Sequence, residues 1–227
     1  TSNLPSTMNG GKDFCHWSPD DTKLAKTVGP LVERVLGRYG QGLVKAALGE
    51  SQYEKGGDDY TVMALLTRAQ METEQGGTME IAFAAVGVRI RLAMLKGERQ
   101  AARELLASFE QSAKQNRAVQ LLPNIQALKC RMELWEGNLD GVERWMKTAP
   151  DEDVEFCSLE RYRYLTKVRC YLANGEYMKA QALLEKLRYY AEQTNRPYVR
   201  METGLLSAIT KERAGGPWQD ELAAVLR

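Results

Sequence analysis

Apolar positions along the chain fall at helical spacing in segment after segment, and short glycine turns separate the segments. Leu159, Tyr164, Leu165, Val168, Tyr171 and Leu172 lie largely on one face of a helix; so do Tyr177, Ala180, Leu183, Leu184, Leu187 and Ala191. Between these two runs stands Asn174-Gly175-Glu176. Comparable turns occur at Lys55-Gly56-Gly57-Asp58, Lys96-Gly97-Glu98, Glu136-Gly137-Asn138 and Ala214-Gly215-Gly216. With Gly57, Gly97, Gly137, Gly175 and Gly215 as markers, the step from one to the next is almost constant. A period of about 40 residues marks a repeat architecture, in which one supersecondary unit stacks on the next. The unit is a helical hairpin.

Glycine belongs at the end of the first helix of each hairpin, because a helix C-terminus is commonly closed by a residue with positive φ. Five residues after the marker comes a small or β-branched residue in four units, namely Val62, Ala102, Val142 and Ala180, where the second helix must approach the first. Pro150, Pro197 and Pro217 stand where first turns of helices are expected, and Pro123 near one. The pattern predicts helix pairs over 40–54 and 58–75, 79–96 and 98–115, 119–136 and 139–147, 156–173 and 176–194, and 198–213 and 217–227. Residues 1–38 are less regular. Gly10-Gly11 and Ser18-Pro19-Asp20-Asp21 read as turns, with helical stretches at 21–28 and 30–38, the remnant of one further unit. The whole of 1–227 is therefore read as a single helical-repeat domain, with 1–38 an irregular leading unit and 39–227 five hairpins. Its fold class is all-α, a right-handed solenoid of about five stacked hairpins. Thr148-Ala149-Pro150-Asp151-Glu152-Asp153 reads as a solvated linker joining two of them.

Composition supports the helical reading. The 227 residues include 27 Leu and 24 Ala against 4 Ile and 4 Phe, favouring helix formers over the residues of strands. Apolar residues at 44% and charged residues at 27% are ordinary for a globular chain, and no apolar run approaches the roughly 18 residues of a membrane span. Lys and Arg (31) nearly balance Asp and Glu (30), which argues against direct nucleic-acid contact through bulk positive charge. Cys15, Cys130, Cys157 and Cys170 contain no C-x-x-C pair, and a cytoplasmic location is expected. No signal peptide is visible, and Thr1 in place of an initiator Met suggests processing or an excised fragment.

Gly175-Glu176-Tyr177-Met178-Lys179-Ala180, with glycine in the turn and alanine five residues on, resembles the tetratricopeptide signature. The longer unit, with runs such as Leu159-Glu160-Arg161-Tyr162-Arg163-Tyr164-Leu165, resembles the helical-repeat segment of large bacterial LuxR-type transcriptional regulators related to the maltose-regulon activator MalT. The resemblance covers about 40 to 227. It implies an ATPase module before the segment and a helix-turn-helix DNA-binding module after it, neither lying within these residues. It also implies that the segment receives a small-molecule inducer or a protein or peptide partner in its concave groove, with self-association a further mode. Any DNA contact would then come from the absent module. The competing reading is a stand-alone tetratricopeptide-like scaffold for a peptide or acidic partner.

No catalytic, metal or cofactor constellation assembles, and the chain is expected not to be an enzyme. Met8-Asn9-Gly10-Gly11-Lys12-Asp13 lacks the spacing and the hydroxyl of a phosphate loop. His16 is the single histidine, isolated with Asp13 and Cys15. Asp151, Glu152 and Asp153 lack the alternation of a calcium loop. Cys130 and Cys170 fall inside first helices and read as small buried hydrophobes. Trp145, Tyr189 and Tyr190 read as packing between hairpins.

One column stands out. Six residues before the marker glycine come Arg91, Arg131 and Arg169, and eight before it Arg89, Lys129 and Lys167. Equivalent positions of stacked hairpins lie side by side, and in tetratricopeptide-like arrays the first helices line the groove. Arg91, Arg131 and Arg169, with Trp135 and Tyr162 on the same helices, are the candidate groove residues for an acidic or phosphorylated ligand. The plain alternative is a set of exposed basic residues paired with neighbours such as Glu133 and Glu160.

Overall fold

Five glycines at the predicted turns adopt the left-handed conformation, and they set the register of the architecture. In a computed structural model, which describes residues 19–76, 79–152, 161–194 and 197–225, Gly56, Gly97, Gly137, Gly175 and Gly215 have φ between 68° and 77°. Each closes a helix in the same way. The glycine N–H bonds a carbonyl three residues back, and the N–H of the following residue reaches five back, as in Glu98 to Ala93, Asn138 to Glu133 and Glu176 to Tyr171. That pair of bonds satisfies carbonyls the helix end leaves orphaned. In the first hairpin the closing residue is Gly56 rather than Gly57; Gly57 is the residue that follows, its N–H bonding the Gln52 carbonyl at 2.7 Å. The first step of the repeat, from Gly56 to Gly97, is thus one residue longer than the marker Gly57 implies.

Among the described residues ten α-helices result: α1 (Pro19–Glu54), α2 (Asp59–Gln75), α3 (Met79–Leu95), α4 (Arg99–Gln115), α5 (Leu122–Glu136), α6 (Leu139–Met146), α7 (Arg161–Ala173), α8 (Tyr177–Gln193), α9 (Pro197–Arg213) and α10 (Gln219–Val225). A 3-10 turn, Val119–Leu121, leads into α5. Among the same residues there is no strand, and no helix is long and apolar enough to cross a membrane. The leading segment differs from expectation. A helix runs from Pro19 straight through Pro30, and the break comes at Gly37 (φ 56°, ψ −135°), which divides α1 into two helices. The glycine's freedom at positive φ, not the proline, decides where the chain turns.

The chain divides into two compact units, Thr1–Ile125 and Gln126–Arg227. In the first, α1 packs on α2 and α3, α2 on α3, and α3 on α4. Ala46, Val62, Leu66, Ala69, Ile81, Ala85, Val88 and Leu92 form its core, and Phe83 stacks on Phe109 with ring centroids 5.9 Å apart. Helix α1 comes very close to α2: a Cβ at Gly42 would lie 2.2 Å from the Thr73 methyl. In the second unit Tyr164, Leu165, Val168, Leu172, Ala180, Leu183, Leu184, Leu187 and Leu206 join α7, α8 and α9. Each fully buried leucine here contributes about 1.5–3 kcal/mol by leaving water.

Val62, Ala102, Val142 and Ala180 are all fully buried, as the need for close approach requires. Their true register is with the start of the second helix. Each N–H bonds the carbonyl of the N-cap residue four positions earlier: Asp58, Glu98, Asn138 and Glu176. In the three later turns that N-cap is also the residue just after the glycine, so one residue ends one helix and begins the next. Glu98 and Glu176 have ψ of 54° and 57° and make no side-chain cap bond. In the first turn Gly57, the residue after the closing Gly56, supplies the five-back N–H, and Asp58 relaxes to ψ 129° and accepts from the N–H groups of Tyr60 and Thr61.

The 148–152 part of the expected linker is not a solvated tether. Pro150 is buried, the Tyr164 hydroxyl donates to the Asp151 carbonyl (2.6 Å), and Lys167 and Lys186 donate to the carbonyls of Pro150 and Glu152 (2.9 Å each). Glu152 also accepts from the Tyr171 hydroxyl (2.6 Å) and pairs with Lys167 (2.7 Å). Polar groups that looked destined for water are satisfied by the next hairpin. Asp153 lies outside the described residues.

The α4 C-terminus is closed by the same bonds but by Arg117 at φ 58°. A side chain in that conformation costs about 1–2 kcal/mol. At Gly137, where a Cβ would meet nothing within 4 Å, the backbone alone sets the penalty. Gly137→Ala is therefore expected to lower stability by about 1–2 kcal/mol and Arg117→Gly to raise it by up to about 1 kcal/mol. Urea unfolding midpoints check both; equal midpoints for all three proteins would refute the turn account.

Candidate functional site

With Gly56 as the closing residue, the column six positions before each turn reads Glu50, Arg91, Arg131, Arg169 and Ile209. It therefore opens with an acid. Arg91 on α3 pairs with Glu50 (3.6 Å) and Glu54 (3.5 Å) on α1, and its guanidinium lies 5.1 Å from the centre of the Tyr53 ring. Glu50 and Arg91 hold equivalent positions, so two consecutive first helices meet in register. Glu80 and Gln120, at equal offsets from Gly97 and Gly137, do the same through a 3.0 Å hydrogen bond.

Arg131 on α5 is 9% exposed. Its Nε donates to Thr166 Oγ1 (2.8 Å), and that hydroxyl donates to the Tyr162 carbonyl (2.8 Å). The guanidinium stacks on the Tyr162 ring at 4.1 Å from its centre. Cation–π contact in a desolvated seam is worth about 2 kcal/mol. Arg169 on α7 donates to the Leu165 carbonyl (2.9 Å) and pairs with Glu202 on α9 (2.7 Å). Tyr162 and Glu202 are themselves equivalent, at equal offsets from Gly175 and Gly215. In the second unit, each column arginine thus reaches the same place on the next first helix.

The candidate residues are therefore partly gathered. Arg131 and Tyr162 form one contact, between neighbouring first helices. Trp135, one turn after Arg131, stands 45% exposed at the end of α5. Arg91 belongs to the other unit, where its partners are its own. The arginines do pair with neighbours, Arg91 with Glu50 and Glu54 and Arg169 with Glu202; of the acids named beforehand, Glu133 accepts from Asn138 (2.6 Å), and Glu160 lies outside the described residues. Of the second column, Arg89 donates to the Gln70 side chain and burial pushes its pKa down. Lys129 is exposed, and Lys167 is taken up by the 148–152 segment.

Sequence reasoning missed three things here. Thr166 and Glu202 carry the far ends of the contacts, and only their offsets from Gly175 and Gly215 mark them. Cys130 and Cys170, buried as expected, also touch, with Sγ atoms 3.5 Å apart. Trp145 is buried, but Tyr189 is 65% exposed, because it lies off the α8 face formed by Ala180, Leu183, Leu184, Leu187 and Ala191. The glycine loop at 8–13, His16, Cys15 and Cys157 lie outside the described residues. Among those described, no three or more His, Cys, Asp or Glu residues gather as a metal site.

The MalT-like TPR region family matches residues 59–226, from the start of α2 to the end of the last helix. The chain belongs to this family. No curated protein and no solved structure matches it. The match fits an all-α helical repeat, and the five turns give its MalT-like segment the longer period noted above.

A double-mutant cycle on Arg169→Ala and Glu202→Ala tests the inter-repeat tie. The pair is partly shielded, with side chains 29% and 12% exposed, so a coupling of about 0.5–1.5 kcal/mol is expected. Additive losses would remove the tie from the account.

Proposed function

We propose that this segment is the effector- or partner-binding sensor of a LuxR/MalT-like bacterial transcriptional regulator, and that it acts by binding rather than by catalysis. Family membership over 59–226 carries the proposal. The ligand is anionic, a phosphosugar, a carboxylate or an acidic peptide, and it is received by the column arginines, Arg131 and Arg169 foremost, with Tyr162 and Trp135 as aromatic neighbours. Guanidinium groups suit such a ligand because they bind carboxylate and phosphate in bidentate fashion. The arginines also tie consecutive first helices together. A ligand that takes one of them from its internal partner changes how two repeats are held, and by that route binding reaches modules outside the chain.

A second reading, a peptide-binding scaffold with no transcriptional role, rests on the same residues. The two separate on the full-length gene, where a phosphate loop upstream and a helix-turn-helix downstream belong to the regulator alone.

Thermal shift against a panel of sugars, phosphosugars, carboxylates and short acidic peptides tests the binding. A ligand at a hundredfold its dissociation constant stabilises by about 2.7 kcal/mol, a rise of roughly 5–10 °C for a chain of this size. Arg131→Lys keeps the charge and loses the fork, and Arg169→Gln removes one guanidinium; both are expected to weaken affinity at least tenfold and shrink the rise accordingly. A panel without a hit, or a hit of undiminished affinity in both variants, would sink the arginine assignment.

A further inference from the structure

Cys130 and Cys170 come from two different hairpins, on α5 and α7, and the sequence between them includes α6 and the 148–152 segment. Their sulfur atoms lie 3.5 Å apart, both side chains are buried, and both thiols are free. A disulfide needs the sulfurs to close to about 2.05 Å, so the approach required is about 1.5 Å. The pair sits in the seam that Arg131, Tyr162 and Thr166 already hold, and each cysteine is adjacent in sequence to a column arginine, Cys130 to Arg131 and Cys170 to Arg169.

We propose that Cys130 and Cys170 form a reversible disulfide that locks the third hairpin to the fourth when the protein meets a peroxide. One sulfur, as thiolate, attacks a peroxide oxygen to give a sulfenic acid and one water; the second thiol attacks that sulfur, forming the S–S bond and releasing a second water. Two thiols and one hydrogen peroxide thus give one disulfide and two waters. A thiol or a reducing protein dithiol reverses the change by exchange.

Burial sets the conditions of the reaction. The shared hydrogen bond and the apolar surroundings push the Cys130 thiol up, so the closed seam holds that thiol protonated and inert. Reaction then follows local opening of the α5–α7 seam, and the sulfurs, already neighbours, close faster than either is oxidised further. The bond closes a loop of about 40 residues, long enough for a marked stabilisation. This inference stands apart from the ligand reading, since it concerns only the chain's own thiols.

The test uses the full 227-residue chain carrying Cys15→Ser and Cys157→Ser, treated with hydrogen peroxide under native conditions. The expected result is loss of two thiols per chain, a peptide cross-linked between Cys130 and Cys170, and a Tm raised by about 5–15 °C, all reversed by dithiothreitol. Cys130→Ala and Cys170→Ala, each conservative in a buried site, should fold and show no peroxide-dependent rise. Separate sulfinic or sulfonic acids at the two positions, thiols that survive the treatment, or a cross-link appearing only in denaturing urea would each overturn the proposal.

Discussion

Everything in this chain hangs on how a helix is made to stop. Helix propensity favours leucine- and alanine-rich segments that would otherwise run on, and stopping one leaves four carbonyls without partners. A single left-handed glycine lets its own N–H and that of the following residue turn back onto those carbonyls, and the chain leaves in the direction that lays the second helix against the first. The buried valines and alanines at the fourth position of the second helix then fix how closely it lies. Hairpin packing, the apolar cores of the two units and the alignment of equivalent side chains on successive first helices all follow from that local event.

Because the turns recur at a nearly constant step, chemistry placed at a fixed offset from them recurs in space. The arginine column shows what that periodicity achieves. Position minus six of one first helix meets position minus six of the previous one at Glu50 and Arg91, and position minus thirteen of the following one at Arg131–Tyr162 and Arg169–Glu202. The geometry is set once by the backbone, and the residue at each crossing decides whether the tie is an ion pair or a stacked ring. Charged groups that a repeat protein could leave in water are instead committed to the contact between neighbours, on which the stability of such an array depends.

From α2 onward the described helices were legible in the sequence to within about three residues, because glycine, proline and the helical period are local signals that tertiary context did not override. Two local readings failed for identifiable reasons. Gly56 and Gly57 are indistinguishable as letters, and only the hydrogen bond from Gly57 to Gln52 tells which one carries the positive φ. Gly29-Pro30 looks like a stop, yet α1 continues to Gly37. The site was legible by column and not by partner. Arginine at minus six could be seen; that its guanidinium would turn toward the next helix depended on Thr166, Tyr162 and Glu202, which belong to the following hairpin in each case and differ in residue type where their offsets agree. The same separation along the chain hid the Cys130–Cys170 contact and the anchoring of Pro150–Glu152 by Tyr164, Lys167 and Lys186.

The first turn differs from those at Gly97, Gly137 and Gly175 by a single residue, and the difference says something about how such arrays tolerate change in length. An insertion inside a helix rotates everything beyond it by about 100° and carries buried side chains out to solvent. At the turn, Gly57 is accommodated between the closing glycine and the N-cap, and Val62 remains four residues from Asp58 and fully buried. The added residue even relieves a compromise, since Asp58 gains side-chain caps that Glu98 and Glu176 forgo. Single-residue insertions and deletions at these junctions are thus the variation that descent can sample without rebuilding a core, and a count of residues per repeat is free to drift while the lattice of buried contacts is inherited intact.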